Sequence, residues 1–293
     1  MKELVVLSGK GGTGKTSFAA AFVNLAGRCA ITDCDVDAAD LHLVLAPEVQ
    51  ETVAFAESSV AVVDPHRCGQ CGLCMELCRF GAIRPNDRFI PQVDPFACEG
   101  CRVCARFCPA GAVSMREVEN GVWFRSKTRF GPFFHARLRA GAENSGRLVE
   151  LLRRHGREAA EDEGLELLIT DGPPGVGCPA ISAVTGSAYA VLIAEPTVSG
   201  VHDLERIAAV VGQMGIPAGV VVNEADLNMA VADQIERWAA AGGLDVLGRV
   251  PYDPLFTRAQ IEGRSIVEYD GGASRAVERV WQNVEQRILG LPN

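Results

Sequence analysis

Runs of Lys and Arg are missing from this 293-residue sequence, long apolar stretches are missing too, and histidine occurs only five times. The first absence matters most, because affinity for nucleic acid rests on clustered basic side chains that neutralise phosphates, and the net charge here is -9. Nucleic acid is therefore not an expected partner. Gly, Pro and charged residues interrupt every apolar segment before it reaches the roughly 18 residues that a membrane-spanning helix needs. The N-terminus runs from Met1 straight into Leu4, Val5, Val6 and Leu7, without the charged start, apolar centre and cleavage site of a secretory signal. A cytoplasmic protein with no integral membrane association is expected. His42, His66, His135, His155 and His202 show neither ligand spacing nor a matching nucleophile, so no hydrolase triad is supported.

What is present is an apolar content of 48%, enough for a core of one large or two modest domains, and eleven cysteines. Eight of those cysteines fall in two tight groups, which in a sequence without an export signal points to metal or cluster ligation rather than disulfides. The groups belong to an internal repeat. VDPHRCGQCGLCMELCRFGAI, starting at Val63, returns 30 residues later as VDPFACEGCRVCARFCPAGAV, with nine of 21 positions identical. A duplicated unit this short closes on itself as one small domain.

On either side of the repeat, short apolar runs alternate with helical patterns in the rhythm of a parallel sheet. Strands are predicted near 3–8, 29–33, 166–171, 189–194, 218–222 and 246–250. Helices are predicted near 15–27, 145–155, 180–186, 201–213, 228–241 and 271–289. These strands form one sheet only if the cysteine-rich repeat is an insertion. The expected fold class is α/β, a P-loop NTPase with a mainly parallel sheet flanked by helices, plus a small inserted ferredoxin-type domain. The expected boundaries are 1–60 and 117–293 for the two parts of the large domain and 61–116 for the insert. The flanks 51–62 and 117–130, rich in residues such as Val60, Val62, Val122, Trp123 and Phe124, are expected to pair as a two-stranded stalk.

Gly9, Lys10, Gly11, Gly12, Thr13, Gly14, Lys15 and Thr16 satisfy the phosphate-loop pattern between a predicted strand and a predicted helix. Its glycines let backbone N–H groups turn inward, and the helix N-terminus beginning at Lys15, Thr16 and Ser17 adds positive dipole character where phosphates sit. Lys15 is expected on the β- and γ-phosphates of ATP and the Thr16 hydroxyl on Mg²⁺. The extra lysine, Lys10, marks the deviant form of this loop, so the chain resembles the superfamily of MinD, ParA, Mrp and the nitrogenase iron protein.

That resemblance implies further roles. Lys10 would reach across a nucleotide-dependent dimer, formed with a second copy or a related chain. Asp35, in the first switch after Asp33, would orient metal and attacking water, while Asp37 and Asp40 read equally as a solvated loop. Asp171, ending the run Leu167–Thr170, would hold a metal-bound water, with Pro173, Pro174 and Gly175 sensing the γ-phosphate. Asn223 and the segment Pro251, Tyr252 and Asp253 would surround the adenine, although a strand-end asparagine also serves as a turn or cap. The segment from Glu195 to Gly200 would pack near the dimer face.

Cys68, Cys71, Cys74 and Cys78 are spaced C-x2-C-x2-C-x3-C, and Cys98, Cys101, Cys104 and Cys108 repeat this with Pro109 behind. This is the bacterial ferredoxin spacing, in which three cysteines wrap one cluster and the fourth reaches the other. One [4Fe-4S] cluster is assigned to Cys68, Cys71, Cys74 and Cys108, the other to Cys98, Cys101, Cys104 and Cys78. Zinc, which more often takes separated cysteine pairs, is the alternative. Arg79 stands where the second run has Pro109. Cys29 and Cys34 read as small buried residues. Cys178 lies at the offset of a bridging cluster ligand in the nitrogenase iron protein, with no second ligand to match. The C-terminal stretch 275–289 places Val277, Val280, Trp281, Val284, Ile288 and Leu289 on one face, read as core packing rather than membrane contact.

The expected activity is ATP hydrolysis coupled to nucleotide-gated electron transfer toward a redox partner protein. The alternatives are a cluster carrier resembling Mrp and a redox-sensing regulatory ATPase.

Overall fold

The computed structural model describes residues 1–56, 58–139 and 145–290. In chain order the elements are β1 (Lys2–Ser8), α1 (Lys15–Ala26), β2 (Ala30–Asp33), α2 (Leu41–Leu45), β3 (Glu48–Phe55), β4 (Ser58–Val63), α3 (Leu73–Leu77), β5 (Ile83–Pro85), β6 (Pro91–Val93) and α4 (Val103–Arg106). They continue with β7 (Val113–Val118), β8 (Gly121–Lys127), β9 (Pro132–Leu138), α5 (Ser145–Asp162), β10 (Leu167–Pro174), α6 (Cys178–Val184), β11 (Tyr189–Ala194), α7 (Val198–Gln213), β12 (Ala218–Val222), α8 (Met229–Ala241), β13 (Asp245–Arg249), α9 (Leu255–Ile261) and α10 (Gly272–Gly290). The chain divides into two compact units. One holds Met1–Thr52, Trp123–Arg137 and Ser145–Asn293, the other Val53–Val122 and Leu138–Asn144, of which 140–144 and 291–293 lie outside the described residues.

The larger unit is built on a sheet in the order β13-β12-β11-β1-β10-β2-β9-β8-β3. Strands β12 to β13, β11 to β12, β1 to β11, β1 to β10, β10 to β2 and β2 to β9 all pair in parallel. A parallel sheet is covered on both faces, which explains why β1 and β11 read as unbroken apolar runs. On one face Leu4, Val6, Ile31, Ile169 and Val191 pack with Phe18 and Phe22 of α1 and with Val277, Val280 and Trp281 of α10. The Phe22 and Trp281 rings lie 5.3 Å apart. On the other face Ala30 and Leu168 pack with Ala160 of α5. Helix α10 is thus a core helix, while Leu289, expected on its packed face, is exposed. No helix among the described residues is long and apolar enough to cross a membrane.

Six strands were expected in this sheet, and β3, β8 and β9 extend it. The two flanks 51–62 and 117–130 do pair as expected, β3 beside β8 and Ser58 and Ser59 opposite Val118 and Glu117, but β3 and β8 join the large sheet and form no separate stalk. Residues 121–127 form a strand of the large sheet because both of its faces find cover: Trp123 stacks on His155 of α5 at 4.7 Å, and Phe124 on His135 of β9 at 4.8 Å. Val60 and Val62 pair instead with Arg116 and Ser114 in the antiparallel pair β4 and β7.

The smaller unit carries the repeat as two interlocked halves, β4-α3-β5 and β6-α4-β7. The outer strand of each half pairs with the other half, β4 with β7 and β5 with β6. The backbone repeats with the sequence. Gln70 and Gly100 have φ of 56° and 59°, Gly72 and Arg102 76° and 64°, and Gly81 and Gly111 62° and 56°. Its small core joins Ala61, Ile83, Val113 and Cys104, with Cys74, Cys78, Cys98 and Cys108 packed against them.

Candidate functional site

The loop between β1 and α1 sits at the C-terminal end of the central strand. Gly12 and Gly14 adopt φ of 82° and 86°, a left-handed conformation that side chains resist. Gly14 has a second constraint, since a Cβ there would lie 2.8 Å from Nδ2 of Asn223. That amide donates to the Thr13 carbonyl at 3.0 Å, fastening the end of β12 to the loop. Lysine is scarce in this chain, with only Lys2, Lys10, Lys15 and Lys127, and two of the four are in the loop.

Beside the loop opens a cavity of about 580 Å³, within the usual range for small-ligand sites. Gly11, Gly12, Gly14, Lys15, Thr16, Ser17 and Asp35 line it, as do Pro173, Pro174, Asn223, Pro251, Tyr252 and Asp253. Gly9, Lys10, Thr13 and Asp171 shape the site without lining this cavity. A Cβ on Gly9 would run into the Asp203 backbone, and Thr13 is buried.

Lys15 is buried, and its ammonium lies 3.0 Å from Oδ1 of Asp171 and 3.4 Å from Oδ2 of Asp35. Burial pulls the Lys15 pKa down, but Asp171, Asp35 and Asp33 outweigh it and raise the pKa, so the ammonium stays charged. Burial pushes the Asp35 carboxyl above its ordinary range, with Lys15 opposing and Asp171 reinforcing. Asp33 is pushed up further, first by burial and then by Asp171. Asp33 accepts the amides of Asp35 and Leu41, both at 3.1 Å, so it shapes the loop leading into α2. Asp37 and Asp40 line the cavity as well.

Three carboxyls against one ammonium leave an excess of negative charge, and Oδ2 of Asp171 is buried with no partner. No group of three or more His, Cys, Asp or Glu among the described residues converges closely enough to hold a metal ion by itself. Mg²⁺ does not require such a cage, because it usually takes one or two carboxylates and completes its shell with waters and phosphate oxygens. Thr16, Asp35 and the free Asp171 oxygen suit that mode of binding.

Oδ1 of Asn223, whose amide holds the loop, is also buried without a partner, as an acceptor for a base amino group would be. Asp253 accepts the Leu255 amide at 2.9 Å in the turn that leads into α9. Helix α9 supplies a wall the sequence did not suggest. Phe256, Thr257 and Gln260 line the cavity, and Gln260 donates to the Ser17 hydroxyl at 2.9 Å. Seven residues make too short a helix to show a clear period, so only the Pro254 start could have signalled it. Lys10 turns toward its own chain, in an ion pair of 2.7 Å with Glu195.

The eight clustered cysteines line two cavities in the smaller unit. Cys68, Cys71, Cys74 and Cys108 line one of about 60 Å³, with Pro91, Pro109 and Val113. Cys78, Cys98, Cys101 and Cys104 line another of about 20 Å³, with Phe80, Ile83 and Met115. The fourth cysteine of each run faces the other run's cavity. Backbone amides donate to sulfur from Gln70 to Cys68, Ala61 to Cys98 and Ala112 to Cys108, at 3.4, 3.5 and 3.3 Å. Burial opposes ionisation of Cys108, but the amides of Ala112, Ala110, Val113 and Gly111 outweigh it and lower its pKa. Burial raises the Cys74 and Cys104 thiols. Cys29 and Cys34 are buried, and desolvation pushes Cys29 up to about 12. Cys178 is exposed at the start of α6.

Comparison with known proteins agrees with the nucleotide site. Residues 4–266 match the CobQ/CobB/MinD/ParA nucleotide-binding domain family. An uncharacterized protein of Methanocaldococcus jannaschii, MJ0578, is 33% identical over 229 residues, 77% of this chain and 79% of that one. The light-independent protochlorophyllide reductase iron-sulfur ATP-binding protein of Chloroflexus aggregans is 24% identical over 154 residues, 50% of this chain and 55% of that one. Among solved structures, the septum site-determining protein MinD of Pyrococcus horikoshii, complexed with Mg-ADP, superposes with a TM-score of 0.57 at 17% identity, covering 99% of this chain and 97% of that one.

Proposed function

Since the chain belongs to the CobQ/CobB/MinD/ParA nucleotide-binding domain family, we propose that it is an ATPase in which the insert 61–116, part of the smaller unit, holds two [4Fe-4S] clusters and passes electrons to a redox partner under nucleotide control. The observation that carries this reading is the partition of eight cysteines into two cavities, each lined by the four that ferredoxin spacing assigns to one cluster. The donor chemistry fits as well. Thiolates are the ligands such clusters take, and the amides aimed at Cys68, Cys98 and Cys108 favour the charged sulfur. Each thiolate of a cubane binds its own iron, so a cluster needs a wider ligand set than a single ion does. A bound [4Fe-4S] cluster supplies one-electron transfer. The iron-sulfur ATP-binding relative from Chloroflexus aggregans joins the same two capabilities in its name.

On the nucleotide side, phosphoryl transfer depends on positioning and on charge neutralisation, and the residues present serve both. The loop amides and Lys15 receive the phosphates. Lys15 then exchanges its contacts with Asp171 and Asp35 for phosphate oxygens, releasing both carboxylates toward Mg²⁺ and its water. Asn223 and the Pro251–Asp253 segment accept the adenine. Dimerisation, either with a second copy or with a related chain, requires Lys10 to leave Glu195. Pro173 and Pro174 line the cavity at the end of β10, which supports a role for them in sensing the γ-phosphate.

Iron, sulfide and zinc analysis after anaerobic reconstitution, together with ATP turnover, tests the reading. About eight irons per chain is the expected content for two cubane clusters. Zinc in place of iron would overturn it. A cluster-carrier role has one observation in its favour, the exposed Cys178, and predicts that clusters move to an apo-protein and that Cys178→Ala stops the transfer.

A further inference from the structure

The two halves of the smaller unit share a backbone but not a surface. Alongside the cavity of Cys78, Cys98, Cys101 and Cys104 runs an open groove of about 820 Å³, lined by Cys101, Arg102, Val103, Arg106, Phe107 and Met115. Cys101, Arg102, Val103 and Met115 belong to both, so the groove abuts that cysteine set. At the repeat-related positions the first half has Gly72, Glu76, Leu77 and Pro85 in place of Arg102, Arg106, Phe107 and Met115. The exchange turns one acidic position basic and adds a second cation and an aromatic ring.

Arg102 and Arg106 are both exposed, and neither has a carboxylate partner among the described residues. Phe107 is 57% exposed between them and the apolar floor. Arg102 also holds a left-handed φ of 64°, where its counterpart is Gly72. A non-glycine residue there is strained, and such strain gathers at functional sites. Arginine and exposed aromatics are the residue types that concentrate at protein interfaces.

We propose that this groove is the docking surface for an electron-carrier protein with an acidic face, and that electrons pass between that carrier and the cluster held by Cys78, Cys98, Cys101 and Cys104. The proposal rests on the cluster reading above. Two unpaired arginines at the rim of an apolar groove complement a carboxylate ring around an exposed redox centre, and charge complementarity of this kind steers encounter. With a reduced carrier as donor, the step would move one electron, oxidising the carrier and reducing the cluster, ahead of the transfer to the redox partner.

The test uses reconstituted full-length protein and a flavodoxin, an acidic flavoprotein, as the probe. Stopped-flow transfer and equilibrium binding by calorimetry are measured across ionic strength. The double variant Arg102→Glu with Arg106→Glu is expected to slow the second-order step at low salt by about tenfold or more, to weaken binding, and to remove most of the salt dependence. Phe107→Ala is expected to weaken binding with the salt dependence intact. Arg88→Glu, a single charge reversal of the same kind at an exposed site outside the groove, is expected to leave both nearly unchanged, and iron content and ATP turnover should match wild type in every variant. Unchanged binding and rate in the double variant, or an equal loss in Arg88→Glu, would overturn the docking assignment. A wild-type protein that takes up no iron would instead overturn the cluster reading beneath it.

Discussion

Lys15 and Asp171 form a buried pair, Nζ to Oδ1 at 3.0 Å, which joins the lysine proposed for phosphate to the carboxylate proposed for the metal's water. The second oxygen of Asp171 is buried without a partner. Asp171→Asn keeps the shape and removes the charge. It is expected to leave ADP affinity within a few-fold of wild type and to lower ATP turnover by about 100-fold or more, an electrostatic loss of the size typical for such sites. Turnover assays with parallel nucleotide titration check this, and loss of binding in step with turnover would show that Asp171 only supports the loop.

The pH dependence of stability follows from the same carboxyls. Burial raises the Asp33 and Asp35 pKa values in the folded protein above those of the unfolded chain. The folded state then binds more protons than the unfolded state, and stability falls as pH rises from the ordinary carboxylate range through the folded values. The raised Lys15 contributes in the same direction, its share being lost only far above neutrality. Burial lowers the His135 pKa to about 4, which acts in the opposite direction below neutrality. The carboxyls' share is therefore isolated in Asp35→Asn, whose thermal unfolding is expected to lose less Tm than wild type between mildly acidic pH and pH 8. Mg·ADP should flatten that slope by giving the carboxylates a cation.

Lys10 is held at 2.7 Å by Glu195, and both side chains are partly exposed, so the pair is worth no more than about 1 kcal/mol. Glu195→Gln is therefore expected to strengthen Mg·ATP-dependent self-association by a few-fold, up to about fivefold, with Lys10→Ala abolishing it. Sedimentation velocity with and without nucleotide measures both. Equal association in all three proteins would mean that Lys10 does not bridge subunits.

Cys78 and Cys178 separate the cluster assignments. Cys78 follows the first cysteine run yet lines the cavity of the second, whereas Cys178 starts α6 in the larger unit. Cys78→Ala is expected to disturb the spectrum of the cluster held by Cys98, Cys101 and Cys104 while the other cluster's signal persists. Cys178→Ala should retain all of the iron. Electron paramagnetic resonance with iron analysis distinguishes these outcomes.

What the sequence made legible was local. The phosphate loop depends on eight consecutive residues, and the cysteine runs on spacings of three and four, so both could be read without knowing what packs against them. Strands β1, β2, β10, β11 and β12 were legible because burial on both faces makes them largely apolar, and the edge strand β13, only partly buried, by its place after α8 in the alternating pattern. Strand β8 was legible as a strand but not as part of this sheet, and β9 was not legible at all, because Trp123 and Phe124 owe their places to His155 and His135, partners fixed only by the tertiary fold. The same holds for α9 and its Gln260, and for Asp33, whose carboxylate organises backbone amides instead of facing the cavity. The asymmetry between Arg106 and Glu76 was present in the repeat, but it became informative only once the groove beside Cys101 was visible.

Anaerobic spectro-electrochemistry with and without Mg·ATP tests the central claim most directly, that nucleotide binding and the cysteine-ligated clusters are coupled. A coupling free energy of 1–3 kcal/mol corresponds to a displacement of roughly 40–130 mV for a one-electron centre, which is the expected result. Two cluster potentials unmoved by Mg·ATP, with transfer rates to an electron carrier equally unmoved, would contradict it.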